Sequence, residues 1–433
     1  MLPQLRKLEE RYPREVAVVG VHSGKYTTER VTDRIREATL RLGVTHPVVN
    51  DRQFRVWRSY AVNAWPTLVV VDPRGYVLGQ HAGEFTLEAL EPFVQGALRS
   101  AEDQGTLRRS EQQDAPECPA IQPGTLRYPG KVALGPARRL AIADSGHHRV
   151  LIGRLDAARG RLRLEHVAGG GARGLQDGRG EDARFDYPQG MAFHENTLMV
   201  ADAGNHALRA IDLDSGTVRT LVGTGAQLRT AADLRAGALS SPWDVCVAGD
   251  RVFIAMAGTH QLWSVGVHGE GLRVHSGNRH EALVDGPQQD AALAQPMGIA
   301  RDTAGEWLYF VDAESSAIRR ATVDPAGTVE TIIGTGLFDF GDRDGSGDRV
   351  LMQHQQGLAV AEDGRLIVAD SYNDALKWVD PTTREASTWT RGFHEPSGVA
   401  VDAAHVYVAD TNAHRIAVVD RHTGAVEDLA IGA

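Results

Sequence analysis

Six short apolar segments, each ending at an acidic residue or its equivalent, recur through residues 126–433 of this 433-residue chain. They are Ile142-Ala143-Asp144, Val200-Ala201-Asp202, Ile254-Ala255-Met256, Phe310-Val311-Asp312, Val368-Ala369-Asp370 and Val408-Ala409-Asp410, with marker positions 58, 54, 56, 58 and 40 residues apart. A period of that size, holding several short strands and turns, is that of a four-stranded propeller blade. About ten to twelve residues before most of these segments stands a Pro-x-Gly or similar turn: Pro188-Gln189-Gly190, Pro242-Trp243-Asp244, Pro296-Met297-Gly298 and Pro396-Ser397-Gly398. Six copies predict an all-β, six-bladed β-propeller over residues 124–433, because one blade cannot bury its sheet faces alone and stacks on its neighbours. The 47 glycines against 18 prolines suit the many tight turns this needs.

These motifs resemble NHL repeats across essentially the whole propeller. The stretches Leu126 to Val132, Ile254 to Trp263 and Val408 to Ile416 resemble in particular the NHL-repeat-containing protein two group. Two departures stand out: Gln355-Gln356-Gly357 has Gln where the pattern prefers Pro, and no further β-rich domain of the kind known in larger members follows blade six.

Residues 1–100 read as a small α/β domain. Apolar runs at Val16–His22, Pro47–Asn50 and Thr67–Asp72 have the look of strands buried on both faces. Thr28 to Leu42 and Leu87 to Leu98 place apolar residues at helical spacing, and Asp72-Pro73-Arg74-Gly75 closes a hairpin. The passage Tyr60-Ala61-Val62 to Trp65-Pro66-Thr67, the hairpin and the final helix resemble a thioredoxin-like domain. That resemblance implies a cis peptide before Pro66 and a backbone at Trp65, Pro66 and Thr67 able to meet an extended partner peptide. The sequence departs from that pattern: the domain reads as incomplete at its N-terminus, with an exposed sheet edge and no redox CxxC in the chain, as from a truncated start or a misplaced initiation site. Without a thiolate nucleophile there is no disulfide exchange. Residues 101–123, rich in charge and proline without periodicity, read as a linker. Cys118 within it reads as a solvated bystander thiol.

Charge is uneven. Residues 1–100 carry 14 Lys+Arg and 11 Asp+Glu, net +3, whereas residues 121–433 carry 30 and 40, net −10. An acidic large domain argues against nucleic-acid partners, which need lysine and arginine to displace phosphate counterions. Cys118 and Cys246, 128 positions apart, exclude a disulfide framework and a four-ligand zinc site, and fit a reducing cytoplasm. No apolar stretch is long enough to span a membrane.

Candidate chemistry reads as scaffolding. Gly169 to Gly174 matches a dinucleotide-loop spacing but is followed by no helix start, which leaves a turn. Asp342-Arg343-Asp344-Gly345-Ser346-Gly347 resembles a calcium loop whose twelfth position, Gln353, lacks the bidentate carboxylate, which favours an Asp-rich turn. Asp144, Asp202, Asp312, Asp370 and Asp410 suit capping of the following turn's N–H groups. His147, His206, His260 and His414 suit structural hydrogen bonds over ligation. Cys246 alternates like a strand residue and reads as a small buried hydrophobe. Trp243, Trp263, Trp307, Trp378 and Trp389 are expected between blades, one or two of them exposed as partner anchors. The sequence therefore points to a non-catalytic cytoplasmic scaffold that binds protein or peptide partners through propeller loops, without cofactor or metal. The alternatives are a thiol-disulfide oxidoreductase whose CxxC lies upstream, and a metal-dependent propeller hydrolase or lyase.

Overall fold

The computed structural model describes residues 1–109, 125–156 and 160–432. Cys118 lies outside them. Two compact units, Met1–Gln122 and Pro123–Ala433, divide the chain.

The first unit runs α1 (Leu2–Arg11), β1 (Gly20–His22), α2 (Thr32–Leu42), β2 (Val48–Asn50), α3 (Arg55–Ser59), β3 (Thr67–Val71), β4 (Val77–Ala82) and α4 (Leu87–Asp103). The expected helix over Thr28–Leu42 is broken at Val31, whose extended backbone (φ −83°, ψ 121°) separates a 3₁₀ turn from α2. β1 pairs with β2 in parallel and β3 with β4 antiparallel, as two separate two-stranded sheets. The core is small, with Leu8, Leu87 and Val94 at its centre, while Val19, Val21, Val49 and Val71 are exposed. The strands expected to be buried on both faces are therefore open on one.

The second unit is the six-bladed β-propeller. Each blade is an antiparallel meander, and the six first strands stand next to one another around the ring: Val132–Leu134, Pro188–His194, Pro242–Ala248, Pro296–Arg301, Gly357–Val360 and Pro396–Val401. The last of them contacts the first, so the ring closes. The Pro-x-Gly segments are not turns. They open these innermost strands, and a register shift follows directly in four of them. A bulge of this kind strengthens local twist and lets a strand start close to the axis.

Blades two, four and five carry a fifth, two-residue strand at the outer edge: Gly178–Arg179, Gly286–Pro287 and Gly345–Ser346. Blade one is completed by Ala430–Gly432, which runs parallel to Arg161–Ala168 and ties the end of the described chain to the beginning of the ring. Hydrophobic clusters lie between adjacent blades; Met297, Tyr309 and Val311 of blade four, for example, pack on Leu358, Val368 and Val379 of blade five. All five propeller tryptophans named above join such clusters, and none is exposed. Cys246 is buried in one too.

Candidate functional site

The third position of the innermost-strand motif faces the ring axis. Across the six blades it reads Lys131, Gly190, Asp244, Gly298, Gly357 and Gly398. Four glycines give the space that the other two side chains fill. A Cβ at Gly190 would collide with the Asp244 carboxylate, and one at Gly398 would lie 2.6 Å from Lys131 Cα. Lys131 of blade one crosses the axis to Asp244 of blade three, with Nζ 3.2 Å from Oδ2. The same ammonium donates to Met297 O at 3.0 Å and to Gln356 O, so its three protons meet three acceptors in blades three, four and five. Asp244 also accepts the N–H groups of Val245 and Ile299. Both side chains are nearly enclosed; burial pushes the Lys131 ammonium below its ordinary pKa and the Asp244 carboxyl above its own, each opposed by its partner's charge. The pair fills the centre of the ring. Sequence reading missed it because Asp244 was grouped with the glycines; comparing the third position copy by copy would have isolated the one Lys and the one Asp.

Outside the axis, the recurring aspartates do not accept the following turn's backbone N–H groups, although Asp202 and Asp370 accept the side-chain amides of Asn205 and Asn373 and Asp144 pairs with His147. Each accepts an N–H 16 to 18 residues upstream, in the loop entering its own blade: Arg127 for Asp144, Asp186 for Asp202, Ala294 for Asp312, Gln353 for Asp370 and His394 for Asp410. The second carboxylate oxygen holds a cation from the next strand. Arg209 reaches Asp202 at 2.9 Å, Arg319 reaches Asp312 at 2.9 Å, and Arg149 and Arg415 reach Asp144 and Asp410. In blade three, Met256 takes the aspartate's place and its sulfur accepts the Ser240 N–H at 3.3 Å.

The calcium reading fails on the same device. Lys377 Nζ lies 2.8 Å from both Asp342 and Asp344 and 3.0 Å from Thr388 Oγ1, so an ammonium occupies the space between the two carboxylates. Millimolar calcium is expected to leave the melting temperature unchanged; a rise of several degrees in a thermal scan would show that the cation displaces Lys377.

Neighbouring blades are joined by a second recurrent bond. The residue after each strand-two corner, with φ near +50°, accepts the N–H of a residue entering the next blade. His148 Nδ1 accepts from Tyr187 at 3.1 Å, His206 from Ser241 at 3.0 Å, His260 from Gln295 at 3.1 Å and His414 from Tyr128 at 3.0 Å. Ser316 and Asp374 do the same for His354 and Glu395. His206, His260 and His414 thus make the structural bonds expected of them. His147 makes its structural bond to Asp144 inside blade one, and the neighbouring His148 takes the joining role there.

Burial, together with the positive charges of Arg173, Arg127 and His147, lowers the His148 pKa to about 4. A depressed histidine leaves folding stability intact above the unfolded value near 6.5 and erodes it as pH falls toward the folded value. His148→Asn keeps an acceptor and tolerates the positive φ. Urea unfolding between pH 7.5 and 4.5 should show the parent chain losing about 2–3 kcal/mol more than this variant. Equal losses would contradict the assignment.

In the α/β unit the Trp65–Pro66 peptide is cis, as the thioredoxin-like resemblance implies. Trp65 is exposed, and its indole N–H donates to Ser23 O at 2.7 Å. Its ring centroid is 4.4 Å from Trp57 and 6.4 Å from Phe54, two neighbours that sequence reading did not single out. Thr67 Oγ1 is occupied by Ala64 O. The structure brings Trp65, Pro66 and Thr67 to the start of β3 without a sulfur nucleophile among the described residues beside them.

Comparison with known proteins agrees with the fold. The NHL repeat family matches residues 393–419. The chain is 38% identical to Protein SUPPRESSOR OF QUENCHING 1, chloroplastic, of Arabidopsis thaliana, over 99% of its own length and 43% of that protein's. It is 35% identical to NHL repeat-containing protein 2 of Bos taurus, over 98% of its length and 65% of that protein's. It therefore spans less than two thirds of either relative. A shorter likeness, 28% identity over 27% of the chain and 17% of the relative, links it to Protein DipZ of Mycobacterium bovis.

Proposed function

The chain is an NHL-repeat β-propeller protein with a small α/β domain that resembles thioredoxin-like domains, and from that premise we propose that it works as an interaction scaffold, binding protein or peptide partners through propeller loops. The observation that carries this reading is the contrast between the ring's interior and its loops. Charged groups at the axis and at the strand corners are taken up by one another. Apolar side chains, by contrast, stand exposed on four successive inter-blade loops: Leu175, Leu234, Val284 and Phe338, the last 69% exposed. Exposed apolar groups on loops held by a rigid framework are the usual material of recognition surfaces.

The Trp65–Thr67 segment supplies a second contact in the same reading, and the chain's role is non-catalytic. Thiol chemistry finds no support in Cys246: burial first, then the Asp244 charge, push its thiol pKa up, away from the reactive thiolate. No helix among the described residues is long and apolar enough to cross a membrane. A cytoplasmic, reducing location belongs to the proposal, on the strength of two cysteines so far apart. The word chloroplastic in one relative's name points to a different compartment for that protein.

Chemical cross-linking of the full chain in cell extract, compared with Leu234→Asp/Phe338→Asp, tests the reading. Partners lost from the variant while its melting temperature holds would support it. Retention of the same proteins by both would remove its basis.

A further inference from the structure

We propose that the aromatic ledge of Phe54, Trp57 and Trp65 docks an extended peptide that carries acidic side chains. This rests on the reading of Trp65, Pro66 and Thr67 as a peptide-meeting segment and adds what the peptide must bring. Three rings form one cluster, with Trp57 and Trp65 centroids 4.4 Å apart and Phe54 5.7 Å from Trp57. Trp65 remains 48% exposed although its indole nitrogen is fixed on Ser23 O, so its ring is presented rather than packed away. A rigid, half-exposed aromatic surface of this kind contributes area at low entropic cost when a partner covers it.

The arginines over Phe54 and on α3 give the rim of the cluster positive charge. Arg30 lies over Phe54, its guanidinium 5.3 Å from the centroid and held by Gly24 O. Arg55 and Arg58, exposed and three residues apart on α3, form no ion pair among the described residues. Asp51 beneath them is buried, and its oxygens are taken by the N–H groups of Arg55, Val56 and Trp57 and by the Ser23 hydroxyl. Unpaired guanidinium groups on the helix that carries Trp57 suit carboxylates, which they bind in a planar, two-pronged fashion. Single-stranded nucleic acid could also stack on such rings. A short acidic peptide needs only the arginines near the rings, whereas a polyanion gains affinity from many phosphate contacts and residues 1–100 carry a net charge of only +3.

The test uses the full chain and short fluorescein-labelled peptides of one Pro/Phe-containing pattern, with Glu, Gln or Lys at the variable positions, alongside oligouridine. Anisotropy should rank Glu over Gln over Lys, with about tenfold between the extremes at low salt and a smaller gap at high salt. Arg55→Glu/Arg58→Glu should abolish that ranking, and Trp65→Ala should weaken every peptide. Equal affinity for Glu and Lys peptides that still depends on Trp65 would overturn the acidic preference alone. Binding indifferent to Trp65, or no peptide binding at all, would overturn the peptide-meeting reading beneath it. Tighter binding of oligouridine than of any peptide would overturn the peptide assignment. The peptide series on the unmodified chain stays decisive even if a variant folds poorly.

Discussion

Replacing Arg319 by methionine should cost the propeller about 3–5 kcal/mol at pH 7.5, the range found when one member of a buried ion pair is removed. Arg319 and Asp312 are both fully buried and meet at 2.9 Å; the guanidinium also donates to Ala292 O, Val284 O and Asp285. Methionine fills much of the volume but leaves the Asp312 carboxylate without its cation and two carbonyls without a donor. Burial already pushes the Asp312 pKa up, with Arg319 opposing it. In the variant that opposition is gone. A raised carboxyl pKa imposes its penalty above the unfolded value and loses it as pH falls through the folded one, so the deficit should shrink on acidification. Urea unfolding of parent and variant at pH 7.5 and pH 5 measures both parts; a pH-independent deficit below 1 kcal/mol would show that the pair is not doing what its burial implies.

Lys131→Met should cost a similar 3–5 kcal/mol, for a different reason. Arg319 acts within one blade, whereas Lys131 joins blade one to blades three, four and five by its contacts with Asp244, Met297 O and Gln356 O. Its loss orphans a nearly enclosed carboxylate at the one place where all six blades converge. Cooperativity should suffer along with stability: the denaturant slope is expected to fall if the ring opens before the blades unfold. Thermal and urea unfolding followed by tryptophan emission would register both changes, since Trp243 sits beside Asp244 in the same strand. An unchanged midpoint would mean that the ring does not depend on its axis.

The blade count was legible because each copy repeats an apolar strand and its corner within one period, and His206, His260 and His414, three of the histidines that join blades, were legible as hydrogen-bonding groups. Other features were hidden for physical reasons. Gly178–Arg179 and Gly286–Pro287 are strands of two residues, too short to show alternation. Asp202 looked like a cap for the residues after it because a local bond is the simplest use of a carboxylate at a strand end; its actual acceptor role is toward Asp186, brought beside it by the fold. The Pro-x-Gly segments looked like turns because proline and glycine mark turns, but near a propeller axis they open bulged strands where a side chain would collide with the neighbouring blade. Lys131 and Asp244 are 113 residues apart, and only ring closure makes them partners. In the α/β unit, Trp65 and Pro66 were found through a resemblance. Trp57, which packs against Trp65 from a helix of five residues, left no periodic trace.

A double-mutant cycle on that axial pair is the most direct measurement. Lys131→Met, Asp244→Asn and the double variant would be unfolded in urea at pH 7.5. A closed six-bladed ring predicts that the double variant is more stable than the sum of the single losses by about 2 kcal/mol or more, because removing both charges leaves neither one stranded. Additive losses would mean that blades one and three do not meet across the centre, and would contradict the architecture.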